Sequence, residues 1–197
     1  MNTDDLNERL KRFLNAMHPI PESEWQRFTK TIQYKHFQKG DYYCRVGEVC
    51  RMSSFIGSGF FEAAFVDAEG NYAIRKFYSP GQAVSSYRSL ITGEPSEIDV
   101  VSLTDSYVTV LAEKDQNALY EQHPVWVHIG RRFGEIEMIA REKREKDLLL
   151  KSPEERYLDF IKENEQLIPH LTDKKISAYL GITNVSLSRL KKRLTEK

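Results

Sequence analysis

Cysteine is nearly absent: the 197 residues hold two, Cys44 and Cys50. Two thiols exclude a disulfide scaffold, and they cannot hold an iron–sulfur cluster within one chain, because a cluster takes four thiolates. The pair fits a reducing cytoplasm, each thiol reading as a small buried hydrophobe in preference to a redox couple. Long apolar runs are missing as well, and none reaches the ~18 residues that a membrane span needs. The opening MNTDDLNERLKRF is charged and amphipathic, without the apolar core and small-residue cleavage site of a signal peptide. Net charge is zero, with 29 Lys+Arg against 29 Asp+Glu, which by itself argues neither for nor against nucleic acid. No nucleophile-elbow glycines, phosphate loop or HExxH helix occur. His18, His36, His123, His128 and His170 are scattered without metal spacing. Glu135 and Glu137 read as a solvated helix face rather than a catalytic pair. These absences lead to the expectation of a cytoplasmic protein that is no enzyme, spans no membrane, and has no metal site and no cofactor.

What is present is unevenly distributed. From Lys151 onward there are ten Lys+Arg and seven Asp+Glu, whereas the first 150 residues are net acidic. Within 182–197, Arg189, Lys191, Lys192, Arg193 and Lys197 face Glu196 alone. A basic tip on a neutral protein is the electrostatic footprint of a DNA reader. The alternative is a solvated helix end, since lysines there also complement the helix dipole.

Four stretches follow one another. Residues 1–30 read as helical, with Leu6, Leu10, Phe13, Leu14 and Met17 at three- and four-residue intervals. Pro19 and Pro21 break the pattern, and a second helix is expected over 22–31 with Ser23 as its cap. Residues 32–113 alternate short apolar runs with glycines. The runs are 42–44, 60–65, 73–78 and 100–111, and strands so spaced indicate a compact antiparallel barrel or roll. Asp67-Ala68-Glu69-Gly70-Asn71 reads as a hairpin loop. Residues 114–122 form a short helix, and 125–150 a long one on which Ile129, Phe133, Ile136 and Ala140 step by four, three and four. Such a seam seeks a partner helix, so these four residues are expected at a homodimer interface. Packing on the chain's own barrel is the competing explanation. Ser152-Pro153-Glu154-Glu155 then opens a new helix with a cap, a proline and acids in its first turn.

The strongest signal is LTDKKISAYLGITNVSLSRLKKR, residues 171–193. Thr172 caps a helix whose apolar residues are Ile176, Tyr179 and Leu180, and Gly181 lets the backbone leave it in a left-handed conformation. Thr183 caps a second helix with Leu187, Leu190 and Leu194 inward. Asn184, Val185, Ser186, Ser188, Arg189, Lys191 and Lys192 then face outward. Two short helices around a glycine turn, the second polar and basic outside, describe a helix-turn-helix that reads double-stranded DNA. Arg189 can pair bidentately with guanine, Asn184 with adenine, and Val185 can meet a thymine methyl. Ser186, Ser188, Thr172 and Thr183 can reach phosphate or base edges, and Lys191 and Lys192 phosphate. An αα-hairpin packed on another domain is the structural alternative.

This segment, together with FQKGDYYCRVGEVCRMSSFIGSGFFE at 37–62, resembles the CRP/FNR family of bacterial transcription regulators. The resemblance covers nearly the whole chain. It implies an α+β fold: an antiparallel, jelly-roll-like β-roll of the cyclic-nucleotide-binding type, a long dimerisation helix, and a C-terminal helix-turn-helix of winged-helix type. In residue terms these are 1–124, 125–150 and 151–197. Any wing must be missing or rudimentary, since few residues follow the reading helix.

In family members that bind cyclic AMP, a Gly-Glu pair holds the ribose and an arginine beside a small residue the phosphate. The corresponding stretch here is PGQAVSSYRSLITGEPSEIDVVSL, 80–103. Ser85-Ser86 stand where Gly-Glu would, and Ser96-Glu97 where the arginine pair would. Arg75 and Arg88 are the available substitutes. The resemblance and these departures together imply a homodimeric, sequence-specific transcription regulator. Its effector pocket would comprise Arg75, Ser85, Ser86, Arg88 and Ser96, and its effector would be a small molecule other than cyclic AMP. RNA polymerase is a further candidate partner. Two other readings remain open: an ordinary cyclic-nucleotide sensor, and a ligand- or protein-interaction module with a vestigial helix-turn-helix.

Overall fold

The computed structural model describes residues 2–67, 69 and 72–196. Helix α1 (Thr3–Met17) starts where the Asn2 side chain accepts the Asp4 N–H, and it buries Leu6, Leu10 and Leu14. Helix α2 covers Glu22–Phe28 only. Its cap position is held by Pro21, which makes no side-chain cap bond, so Ser23 lies inside the helix rather than capping it. The helix stops three residues short of the expected end, with the Thr31 hydroxyl donating to the Phe28 carbonyl at 2.8 Å.

Eight strands follow among the described residues: β1 (Gln33–Phe37), β2 (Tyr42–Cys44), β3 (Met52–Ser58), β4 (Phe61–Val66), β5 (Tyr72–Tyr78), β6 (Ala83–Val84), β7 (Ile98–Ser102) and β8 (Ser106–Ala112). A short helix α3 (Tyr87–Thr92) interrupts them. They form two four-stranded sheets, β1-β8-β3-β6 and β2-β7-β4-β5. Every pairing is antiparallel. The run 100–111 is two strands, because Ser102 and Ser106 both donate to the Thr104 carbonyl and pin a corner between them. Gly59 makes that corner possible. At φ +86° its backbone lies so close that a Cβ would meet Ser106 Oγ at 2.0 Å. The hairpin loop expected at 67–71 falls largely outside the described residues, but β4 and β5 on either side pair in register, Val66 opposite Tyr72.

Between the sheets, Phe37, Ile56, Phe61, Ala63, Val100 and Val108 form a buried core. The outer face of the first sheet is covered by α1, α2, α4 (Glu113–Gln122) and α5 (Pro124–Leu150). In this second core, Phe55 of β3 meets Leu10, Phe28, Trp126 and Ile129. The Trp126 indole donates to the buried Glu24 carboxylate at 3.0 Å, which leaves neither polar group orphaned. Proline at the first helical position and a cap from the His123 ring start α5.

The C-terminal third is helical: α6 (Pro153–Glu163), a 3-10 turn (Ile168–His170), α7 (Asp173–Leu180) and α8 (Asn184–Thr195). Ser152 and Glu155 close a full capping box on α6. Among the described residues β8 is the last strand. A third core joins the roll to these helices, with Phe60, Ala64, Ile74 and Phe77 of the roll packing on Phe160, Leu167, Ile176 and Leu180. The helical head is thus seated on the second sheet. No helix among the described residues is long and apolar enough to cross a membrane.

Candidate functional site

The head is built by local chemistry. The Thr172 hydroxyl accepts the Lys175 N–H at 3.3 Å, and the Thr183 hydroxyl accepts the Ser186 N–H at 3.1 Å, so both helices have filled caps. Gly181 takes φ +68°, ψ 36°. A Cβ there would meet nothing closer than Leu148 at 3.6 Å, so the left-handed backbone, not crowding, is what calls for glycine. Ile176, Leu180, Leu187 and Leu190 are all buried, and Leu194 is half-buried. This fixes the outward face of α8: Asn184, Val185, Ser186, Ser188, Arg189 and Lys192 are exposed.

Those side chains differ in how free they are. Arg189 has no salt-bridge or hydrogen-bond partner among the described residues, and Val185 is 59% exposed. Lys192 has only a loose contact with Glu196 at 3.8 Å. Asn184, by contrast, accepts a 2.6 Å bond from Ser177 on its side-chain carbonyl. A bidentate pair with adenine needs that same oxygen, so Asn184 serves the turn between the helices first. Lys191 is ion-paired with Asp173 and ties α8 to α7. Arg193, which was not nominated as a contact, lies 3.5 Å from Glu154 of α6.

The five residues expected at an effector pocket are brought together only in part. Ser86 and Ser96 do meet, their hydroxyls 2.8 Å apart, and Ser96 donates onward to the Ile98 carbonyl at 2.7 Å. Both are buried, as is Ser85. Arg88 turns to the surface, bonded to Glu94 and 3.3 Å from Glu97. The carboxylate at Glu97 thus neutralises the guanidinium that might have served a phosphate. Arg75 and Ser85 share a neighbour, the buried Tyr78 hydroxyl: it donates to the Ser85 carbonyl at 3.5 Å, and its pKa is pushed by burial up to about 12 while Arg75 pulls against that rise.

The expected dimer seam divides. Ile129 is buried in the chain's own second core, and Phe133 packs on Tyr87 with ring centres 5.7 Å apart. Ile136 and Ala140 are exposed, and so are Met138 and Ile139. A heptad pattern cannot distinguish a partner helix from a sheet, and the first half of this stripe faces the sheet.

Sequence reading missed what fastens the head to the roll. Arg144, in the all-charged run 141–146, stacks 3.9 Å from the Tyr179 ring and donates to the carbonyls of Tyr179 (2.7 Å) and Ile74 (3.2 Å). Lys175 reaches Glu62 of β4 at 2.5 Å, with both side chains largely buried. Phe77 of β5 packs on Phe160 and Tyr179. Nothing local in sequence signals contacts that span from 35 to 113 residues.

Cys44 and Cys50 are buried and free. Their thiols donate to the carbonyls of Arg45 (3.7 Å) and Met52 (3.4 Å), and the interaction between the two thiols, with burial, holds Cys44 well above the usual thiol range. Among the described residues no group of three or more His, Cys, Asp or Glu is arranged to hold a metal ion.

Comparison with known proteins agrees with this architecture. Residues 34–123 match the family model of the cyclic nucleotide-binding domain. Among solved structures the chain resembles FixK2 from Bradyrhizobium japonicum at 17% identity, covering 84% of this chain and 85% of that one, with a TM-score of 0.72. It resembles a transcriptional regulator assigned to the CRP/FNR family from Eubacterium rectale at 11% identity, 93% and 88% coverage and a TM-score of 0.76. A third likeness is to CLP, the c-di-GMP-responsive global regulator of Xanthomonas campestris, at 10% identity, 89% and 92% coverage and a TM-score of 0.70. No curated protein matches the chain. The chain therefore shares the fold of these solved structures, and its residues 34–123 resemble the cyclic nucleotide-binding domain.

Proposed function

We propose that this protein is a sequence-specific, DNA-binding transcription regulator that works as a homodimer and has no catalytic activity of its own. The observation that carries the reading is the outer face of α8, where Arg189 is exposed and without a partner among the described residues, on a helix capped by Thr183, joined to α7 through a left-handed glycine and anchored by buried leucines. A guanidinium left unpaired beside small hydroxyl residues suits direct reading of guanine in a major groove. Double-stranded DNA and a second copy of the chain are the proposed partners, and RNA polymerase is a further candidate. The cytoplasm is the proposed location.

The dimer contact is placed on the exposed half of α5, at Ile136, Ile139 and Ala140, with Ile129 and Phe133 serving the chain's own core. Two heads so joined would address half-sites about one helical turn, ~34 Å, apart. The effector is not cyclic AMP bound in the ordinary way, because Ser86 and Ser96 satisfy each other and the nearby Arg88 is neutralised by carboxylates.

Selection of duplexes from a random pool, followed by binding at 50 and 200 mM salt, tests the proposal. Enrichment of a near-palindromic site is expected, together with a fall of affinity by a factor of about 10³ or more over that salt range, as counterions are released by six or more phosphate contacts. No enrichment and a flat salt response would favour an interaction module whose helix-turn-helix is vestigial.

A further inference from the structure

A cavity of about 130 Å³ lies outside the roll interior, between the outer face of the first sheet, α1, α3 and α5. Leu10, Phe13 and Leu14 wall it on one side, and Phe55 and Leu111 of the sheet on another. Leu90 of α3 and Ile129, Gly130 and Phe133 of α5 complete it. No charged side chain lines it. An ionised ligand would there lose its hydration with no counter-charge in return, so a cyclic nucleotide is excluded from this space. The volume is close to the ~150 Å³ of an apolar cavity that stays dry and accepts benzene.

One polar group is out of place. Thr109 of β8 lines the cavity and is buried, 2% exposed, and its hydroxyl has no hydrogen-bond partner among the described residues. Of the other polar side chains here, Ser54 is engaged with Tyr43 at 3.1 Å, Ser53 with Gln116 at 3.3 Å, and Gln116 with Tyr120 at 2.9 Å, and Tyr87 of α3 lines the space as well. A buried hydroxyl without a partner is destabilising unless something supplies one. The wall beside it is closely fitted. A Cβ on Gly130 would meet the Tyr120 hydroxyl oxygen at 2.4 Å, and one on Gly134 the Tyr87 oxygen at 3.1 Å. Tyr120 thus seats against α5 where glycine leaves it room, and Tyr87 fits closely beside Gly134.

We infer that this cavity is a binding site for a compact, uncharged, ring-sized molecule carrying one hydroxyl or comparable hydrogen-bonding group, which Thr109 receives. The inference rests on the regulator reading, and it moves the effector from the roll interior to the base of α5. Occupancy presses on Ile129 and Phe133, directly before the exposed stretch of α5 proposed as the dimer contact. It leaves the Ser86–Ser96 pair untouched.

Calorimetry and thermal shift on the full chain, with phenol, toluene, benzoate and cyclic AMP as probes, test it. Phenol is expected to bind at sub-millimolar Kd and to raise Tm, toluene to bind more weakly, and benzoate and cyclic AMP not to bind. Thr109→Val is expected to weaken phenol about fivefold, the worth of one neutral hydrogen bond, and to leave toluene unchanged. The same variant without ligand should gain about 2–4 °C in Tm, because the orphan hydroxyl is gone. Ala83→Leu, which fills the cavity from β6, should abolish binding of both aromatics. Failure of both aromatics to bind, benzoate binding as tightly as phenol, or phenol binding indifferent to both variants would overturn the inference. Duplex affinity of the unliganded protein, measured separately, keeps the two readings apart. Its loss would sink the regulator and leave the cavity standing, and the reverse holds for the probes.

Discussion

The reading head and the serine stretch of the roll both carry polar side chains at the place where a ligand would arrive, and they dispose of them in opposite ways. On α8 the groups point outward, and Arg189 has no partner within the described chain. At 85–97 the groups turn on one another: Ser86 bonds Ser96, Ser96 bonds the Ile98 carbonyl, and Arg88 is held by Glu94 and Glu97. Hydrogen-bonding capacity satisfied internally is capacity removed from a ligand. The head is therefore open for recognition, and the serine stretch is closed. Thr109 is the third case, a buried hydroxyl left open inside an apolar wall.

The comparison breaks most visibly if the head loses its frame. Leu187→Ala removes a wholly buried side chain from the core that head and roll share, and it is expected to destabilise by about 2–5 kcal/mol in urea unfolding. Retained stability with lost DNA binding would mean that the leucine touches DNA and that the helix has been placed the wrong way round. Next in size is Lys175→Met, which strands Glu62 in a largely buried position. Because the lysine keeps some access to water, about 1–3 kcal/mol is expected rather than the full penalty of a buried pair. Glu62→Gln should lose less, since Lys175 can still reach solvent. Equal losses in the two variants would contradict this description of the contact.

Ser96→Ala sharpens the contrast from the other side. It removes bonds to Ser86 and Ile98, so about 1–2 kcal/mol of stability should go, while duplex affinity at a fixed salt stays within twofold. A large loss of duplex affinity at unchanged stability would give the serine stretch a role in the DNA response that its closed network argues against. Smallest is Thr183→Ala, worth about 1 kcal/mol through the lost cap of α8, visible as a modest fall in Tm.

How legible each region was in sequence follows from the range of its contacts. Thr172, Gly181 and Thr183 act on neighbours within a turn or two, so the caps and the left-handed exit could be read directly and recur in the structure. The two-sheet roll was legible as a class, but the corner at Ser102–Ser106 was not, because it depends on Gly59 approaching from the turn between β3 and β4. Ile129 and Phe133 looked like a seam because a heptad stripe looks the same whether a partner helix or a sheet lies opposite. The contacts of Arg144 leave no local trace because its acceptors, Ile74 and Tyr179, lie 70 and 35 residues away. The mutual bond of Ser86 and Ser96 depends on a fold that brings residues ten apart into contact.

The central claim is that α8 reads sequence through Arg189, and fluorescence anisotropy of wild type and Arg189→Ala on a selected duplex and its scrambled counterpart tests it directly. Arg189 is exposed and unpartnered, so the variant should keep the wild-type Tm. Affinity for the selected duplex should fall by a factor of about 5–150, the equivalent of about 1–3 kcal/mol of base discrimination, with affinity for the scrambled duplex within about twofold of wild type. Equal loss on both duplexes would reduce Arg189 to a phosphate contact, and no loss on either would contradict the account.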